Sequence, residues 1–157
     1  TTLDHSFKKS ITIVEELDFL NNYVEIQNMR FGNKVSYEVS YPEKYAKKIK
    51  IPPMLIQPLI ENVFVHAFND SIESPKLKVK IYLDEDIEKA KFLRISVIDN
   101  GVGKNNKESS YISRGGHIIQ ERLTLLNTYN DVDSTLHYKS LDIGTEVHLM
   151  VPLILSF

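Results

Sequence analysis

Leu93, Ile95, Val97 and Asp99 fall on one face of a strand, with Arg94, Ser96 and Ile98 on the other. The apolar side ends in a carboxylate, and Asn100-Gly101-Val102-Gly103 follows at once. No other stretch constrains the fold as much. A strand with one apolar face needs a covering layer on that face. Two closely spaced glycines let the chain turn sharply at its end and pass close to a ligand. A carboxylate at the rim of a sheet can accept a hydrogen bond from an amino group such as that of adenine. Asp-Asn-Gly is also ordinary turn chemistry, so the reading depends on what else the chain carries.

The rest of the chain supplies elements for such a layer. Thr12-Ile13-Val14-Glu15 has capping-box spacing, and Ile13, Leu17, Leu20 and Val24 recur at helical spacing to about Phe31, where Gly32-Asn33 stops the helix. Val35, Tyr37 and Val39 alternate with polar residues as in a half-buried strand. The lysine-rich segment up to Lys50 reads as loop. Met54–Phe68 reads as a largely buried helix that starts or bends at Pro58. Lys76–Leu83 and Phe92–Asp99 form a candidate hairpin, and Gly101–Gly116 is a loop too long for a tight connection. A helix over His117–Asn130 and strands at Thr135–Tyr138 and Glu146–Pro152 close the pattern, with a turn at Asp142-Ile143-Gly144. These elements give an α+β fold, a two-layer sandwich whose mixed, mostly antiparallel sheet is covered on one face by helices.

Composition removes several function classes. Of 157 residues, 42% are apolar and 25% charged, the balance of a folded domain rather than a disordered one. With 19 basic and 21 acidic side chains the net charge is −2, so no nucleic-acid partner is expected, and the alternating Lys76, Lys78 and Lys80 read as a solvated face. The absence of cysteine excludes disulfide scaffolds, thiol nucleophiles and thiolate metal sites, and fits a reducing compartment. No apolar run reaches membrane-spanning length, and Thr1–Ser10 does not read as a signal sequence.

On the buried helix lies Gln57-Pro58-Leu59-Ile60-Glu61-Asn62-Val63-Phe64-Val65-His66. Asn62 and His66 are four apart and share a face, with Glu61 beside them. Polar groups on an apolar helix are costly unless bonded or facing a ligand, and an amide oxygen beside a carboxylate suits magnesium and phosphate. Read alone, His66 is better taken as a partly exposed histidine. Together the pieces resemble a family. Glu61-Asn62, then Asp99-Asn100-Gly101-Val102-Gly103, then Gly115 opening a helix, then Gly144-Thr145 before the last strand, look like the ordered motifs of the GHKL ATP-binding superfamily, whose fold is the Bergerat fold. Ile51-Pro52-Pro53-Met54-Leu55-Ile56-Gln57-Pro58-Leu59-Ile60-Glu61-Asn62 is similar to the signature of bacterial autolysis-sensor histidine kinases. Glu15-Glu16-Leu17, Tyr23, Ile26, Arg30, Phe31-Gly32 and Glu121-Arg122-Leu123 match the same branch.

The resemblance implies that residues 11–157 are the ATP-binding, catalytic domain of a sensor histidine kinase, and residues 1–10 a remnant of an upstream dimerisation region or linker. Asn62 would coordinate magnesium, Asp99 would accept from the adenine amino group, and Thr145 would assist at the same base. Gly101 and Gly103 would let the chain pass along the nucleotide. Arg114, Gly115, Gly116 and His66 would meet phosphate, Lys104–Arg114 would form a lid, and Glu61 is the candidate polarising base. ATP and Mg2+ are the implied cofactors. The implied partners are the parent's own dimerisation domain with its phosphoacceptor histidine, and a response regulator. The parent would be a homodimer with this domain in the cytoplasm and an anchor in the inner membrane. The segment carrying the phosphoacceptor histidine in this branch is absent here, so autophosphorylation by this chain alone is not expected. Val65 stands where a lysine or arginine is common, Ser113 where glycine is usual and Gly116 where leucine is usual. These departures motivate an alternative, a nucleotide-binding switch without phosphoryl transfer.

Overall fold

The computed structural model describes residues 10–102, 121, 123, 124, 127 and 134–156. In chain order the elements are β1 (Ile11–Thr12), α1 (Ile13–Met29), β2 (Ser36–Ser40), a 3-10 turn (Glu43–Tyr45), β3 (Ile49–Ile51), α2 (Gln57–Asn62) running into a π turn (Val63–Ala67), β4 (Lys76–Tyr82), β5 (Phe92–Asp99), β6 (Thr135–Ser140), β7 (Thr145–Pro152) and β8 (Ile154–Leu155). Strands β2-β4-β5-β7-β6 make the main sheet. Its β2–β4 pair is parallel and the others antiparallel. This is the expected α+β arrangement with a mixed, mostly antiparallel sheet.

Helix α1 starts where its sequence says it must. Glu15 N–H donates to Thr12 Oγ1 at 3.1 Å and Thr12 N–H donates to a Glu15 carboxylate oxygen at 3.1 Å, which together close the capping box. The Thr12 N–H, and then the Thr12 hydroxyl donating to the same carboxylate oxygen at 3.1 Å, hold the Glu15 carboxyl below its ordinary pKa. The helix ends at Met29, two residues before Phe31, and Gly32 and Asn33 take left-handed φ values of 64° and 60°. Asn28 locks the exit by donating to Val35 O at 3.0 Å and accepting from Val35 N–H at 2.9 Å.

Ile13, Leu17, Leu20 and Val24 are buried along one face of α1. They join Leu59, Ile60, Val63 and Phe64 and the inward residues of the sheet in one core, to which Leu123 also belongs. Strand β4 alternates strictly, with Leu77, Val79 and Ile81 inward and Lys76, Lys78 and Lys80 exposed. An aromatic cluster joins the helices: Phe64 lies 6.4 Å from Tyr23, 5.7 Å from Phe31 and 5.8 Å from Phe68 between ring centres. Helices thus cover one face of the sheet, and the lysine-bearing face lies opposite.

Two expectations need correction. The lysine-rich segment is not all loop, because Ile49 and Ile51 are fully buried and flank Lys50 in a short strand. That strand pairs with β1 and β8 in a second, three-stranded sheet. The apolar helix starts at Gln57 rather than Met54, with Pro58 in its first turn and Met54 at a φ of 65°. Its last five residues form a π turn, closed by Phe68 N–H donating to Val63 O at 3.0 Å. The long loop and most of the expected helix after it lie outside the described residues, although Glu121, Leu123, Thr124 and Asn127 are helical. Among the described residues no helix is long and apolar enough to cross a membrane.

Candidate functional site

The alternation of β5 puts Asp99 on the inward face, 2% exposed, at the last position of the strand. It stands between Leu77 of β4 and Thr145 of β7 in the ladder. Gly101 N–H donates to Asp99 Oδ1 at 2.9 Å, an Asx turn that fixes the direction of the carboxylate. Thr145 is completely buried, and its Oγ1 has no hydrogen-bond partner among the described residues. An unpaired buried hydroxyl costs about 1–3 kcal/mol, so this atom is a polar group that a bound molecule at the end of β5 would satisfy.

Two glycines bring other elements onto this carboxylate. A Cβ on Gly101 would overlap the carbonyl oxygen and side chain of Ala67, the last residue of the π turn. Val102 N–H donates to that same carbonyl at 2.8 Å. Gly144, at a φ of 89°, lies so close to the Asp99 carbonyl and Asn100 Cα that no side chain fits there. The end of β5 is thus joined to the helix that carries Asn62 and to the turn that leads to Thr145. Asn62 closes α2 and is 5% exposed, Glu61 beside it is exposed, and His66 on the π turn is half-buried. Tyr23 of α1 faces this helix, and its hydroxyl is pushed up to about 12 by burial first and then by the charge of Glu61, with Arg30 opposing. π turns recur at functional sites because the extra residue displaces a side chain or carbonyl from the regular helical position.

Among the expected site residues, Glu61, Asn62, His66, Asp99, Gly101 and Thr145 lie on these joined elements. Gly103, Arg114, Gly115 and Gly116, with the expected lid, lie outside the described residues. Among the described residues no group of three or more His, Asp or Glu side chains could cage a metal. Magnesium, which keeps waters and shares ligands with phosphates, does not need such a cage, so a single Asn62 oxygen fits it. Sequence reasoning missed Asn100, whose amide accepts from Lys76 N–H at 2.6 Å, donates to Ser74 O at 2.8 Å, and so ties the start of β4 to the end of β5. Only its place inside Asp-Asn-Gly hinted at this.

It also missed a network on the open face of the sheet. Arg94 Nη1 lies 3.3 Å from His148 Nε2, His148 Nδ1 lies 3.1 Å from Ser96 Oγ, and Ser96 Oγ donates to Glu146 at 3.3 Å. A guanidinium only donates, so Nε2 accepts and Nδ1 carries the imidazole proton. Burial first, then Arg94, pull the His148 pKa below its ordinary value; His137 adds to this and Glu146 opposes it.

No family model matches the sequence. The chain is 31% identical to the sensor protein LytS of Streptococcus agalactiae over 97% of its own length and 26% of that protein's. It is 27% identical to the sensor protein LytS of Streptococcus mutans, again over 97% of this chain and 26% of the relative. The chain therefore spans about a quarter of the curated relatives it matches. Among solved structures, the mycobacterial sensor histidine kinase MprB superposes with a TM-score of 0.62 at 14% identity, covering 94% of this chain and 98% of that one. The Acinetobacter baumannii histidine kinase AdeS gives 0.64 at 11% identity, covering 92% and 66%. This is the fold of a histidine-kinase catalytic domain. Its sequence relatives are LytS sensor kinases, the branch that the motifs from Ile51 to Asn62 resemble. Within that kinase fold, Asn62 and Asp99 sit on elements held together by Ala67 and Gly101.

Proposed function

We propose that this chain is the ATP-binding catalytic domain of a two-component sensor histidine kinase. It would present the γ-phosphoryl group of ATP to a histidine on the parent's dimerisation domain, for relay to a response regulator. The observation that carries the reading is the buried pair at the end of β5: the Asp99 carboxylate, aimed by the Gly101 amide, beside the Thr145 hydroxyl, which has no partner among the described residues.

When bound, ATP supplies the phosphoryl group. The chain's own residues bind and orient. Asp99 accepts from the exocyclic amino group of adenine and so selects it over a purine bearing a carbonyl at that position. Thr145 supplies a hydroxyl to the same edge of the base. Asn62 offers its side-chain oxygen to magnesium among the phosphates, while His66, Arg114 and the backbone at Gly115 and Gly116 neutralise charge. Gly103, with Gly101, would let the chain pass along the nucleotide, as the resemblance implies. Glu61 would act as the polarising base on the incoming imidazole, a modest task because phosphoryl transfer depends mainly on position and charge. The domain would work in the cytoplasm, within a homodimeric parent anchored in the inner membrane.

Calorimetry with a magnesium-ATP analogue tests this. Asp99→Ala is expected to weaken binding about a hundredfold or more while the circular dichroism spectrum is kept. Equal affinity in the variant refutes the assignment. One observation favours a second reading, a nucleotide switch without transfer. Val65, 59% exposed on the π turn, offers an apolar side chain beside the site where a phosphate-neutralising cation is common in the resembling kinases. Fusing the chain to a phosphoacceptor helix separates the two, since labelled histidine supports transfer and tight nucleotide binding without label supports the switch.

A further inference from the structure

On the reverse side of the sheet from the Asp99 side chain lies a separate cavity of about 430 Å3. Its floor is the outward face of three strands in register, with Ser36 beside Lys76, and Lys78 between Glu38 and Ile98. Leu141 and Ile143, from the turn between β6 and β7, form an apolar wall, and Ile143 is 72% exposed. Of the two acidic residues that line it, only Glu38 turns its carboxylate to the two ammonium groups, because the Asp99 side chain lies on the inward face of β5. Lys78 and Glu38 make only a long contact of 3.9 Å, and Lys76 has no ion-pair partner among the described residues. Three apolar side chains beside an excess of positive charge, in a cavity of ordinary ligand-site size, suit one chemistry: an organic acid with an apolar body.

We propose that this cavity binds such an acid, its carboxylate at Lys76 and Lys78 and its body against Ile98, Leu141 and Ile143. Occupancy would also reach the nucleotide carboxylate, because the wall and the site share backbone. The end of β5, at Asp99 and Asn100, lines the cavity. Leu141 N–H donates to Gly144 O at 3.1 Å, and Gly144 lies against the Asp99 carbonyl. The next residue, Thr145, stands opposite Asp99 in the ladder. A ligand seated on the turn holds Gly144 against the Asp99 carbonyl, the same arrangement that places Thr145 opposite Asp99 for the base, so the two bind with positive cooperativity. The coupling rests on the proposed nucleotide reading; the binding does not.

Phenylbutyrate is the probe, titrated into the isotope-labelled 157-residue chain and followed by amide-resolved NMR. The expected result is saturable shifts centred on Ile98, Leu141, Ile143 and Gly144. Lys76→Glu with Lys78→Glu, both at exposed positions, should weaken them about tenfold or more. Inorganic phosphate, with no apolar body, and phenylbutanol, with no charge, should both fail to produce the pattern. Absence of saturable shifts overturns the site, as does an unchanged affinity in the double variant or equal binding of the alcohol. In a second arm, saturating phenylbutyrate should tighten a magnesium-ATP analogue about fivefold, with the same factor on the acid in the reverse titration. An acid that binds without moving nucleotide affinity overturns the coupling. If no nucleotide binds even without the acid, it is the kinase reading that fails, while the first arm still decides the site.

Discussion

Replacing Thr145 by valine should make the domain more stable and its nucleotide weaker. The side chain is completely buried and its hydroxyl has no partner among the described residues, so valine keeps the branched shape and removes only that polar atom. Burying such a group without a hydrogen bond costs about 1–3 kcal/mol, and the substitution recovers a similar amount. In a domain of this size each kcal/mol moves the melting midpoint by roughly 2–4 °C, so a rise of about 2 °C or more is expected in calorimetry. Binding should move the other way. If the hydroxyl bonds the base directly or through one water, its loss removes about 0.5–1.5 kcal/mol, a two- to tenfold loss of affinity for a magnesium-ATP analogue. Opposite signs in the two assays are the signature of a polar atom kept for a ligand. A variant that melts lower would show that the hydroxyl is satisfied in the folded protein, and unchanged affinity would remove Thr145 from the site.

Gly101→Ala should destabilise the fold by about 2 kcal/mol or more in urea titration, because the new methyl would overlap the Ala67 carbonyl that Val102 needs. A neutral outcome would show that the end of β5 does not rest on the π turn. Asn62→Ala should flatten the magnesium dependence of nucleotide affinity, and an identical magnesium titration would take the metal role from it. His148 is held below its ordinary pKa of 6.5, so the unfolded chain binds that proton more readily. Its contribution to stability is present above pH 6.5 and declines as pH falls toward the lowered value. His148→Gln should therefore lose part of the acid-side slope seen in urea titrations of the parent chain, and equal slopes would refute the network.

The features legible from sequence were those with short-range causes. The limits of β5, Phe92–Asp99, follow from strict alternation closed by Asp-Asn-Gly, and the start of α1 follows from Thr12 and Glu15 alone. The missed features have causes distant in the chain or faint in pattern. Strand β3 has three residues, and its partners lie at Ile11–Thr12 and Ile154–Leu155, too short to show a period. In the π turn, Val63, Phe64, Val65 and Ala67 are apolar on every side, so one extra residue per turn leaves no mark on the periodicity. For the site, Asp99 and Asn62 are visible as chemistry out of place at a sheet rim and on an apolar helix. The orphaned state of Thr145 is not visible, because it depends on the register that sets residue 145 against residue 99.

Backbone contacts hold this site, and that decides how its substitutions should be read. The end of β5 meets the π turn through Gly101 and Val102 on the Ala67 carbonyl, and meets the β6–β7 turn through Gly144 on the Asp99 carbonyl. Neither contact uses the side chain of Thr145 or Asn62, whereas the Asp99 carboxylate also accepts from the Gly101 N–H at the strand end. Positions 62 and 145 can therefore change recognition while these backbone contacts are kept, position 99 must be read beside its unfolding curve, and any side chain at 101 or 144 must move a strand end. Affinity lost at 62, 99 or 145 with stability kept or raised is thus a statement about the ligand. Affinity lost at 101 or 144 is a statement about the fold. A nucleotide-binding measurement on the glycine variants carries meaning only beside their unfolding curves.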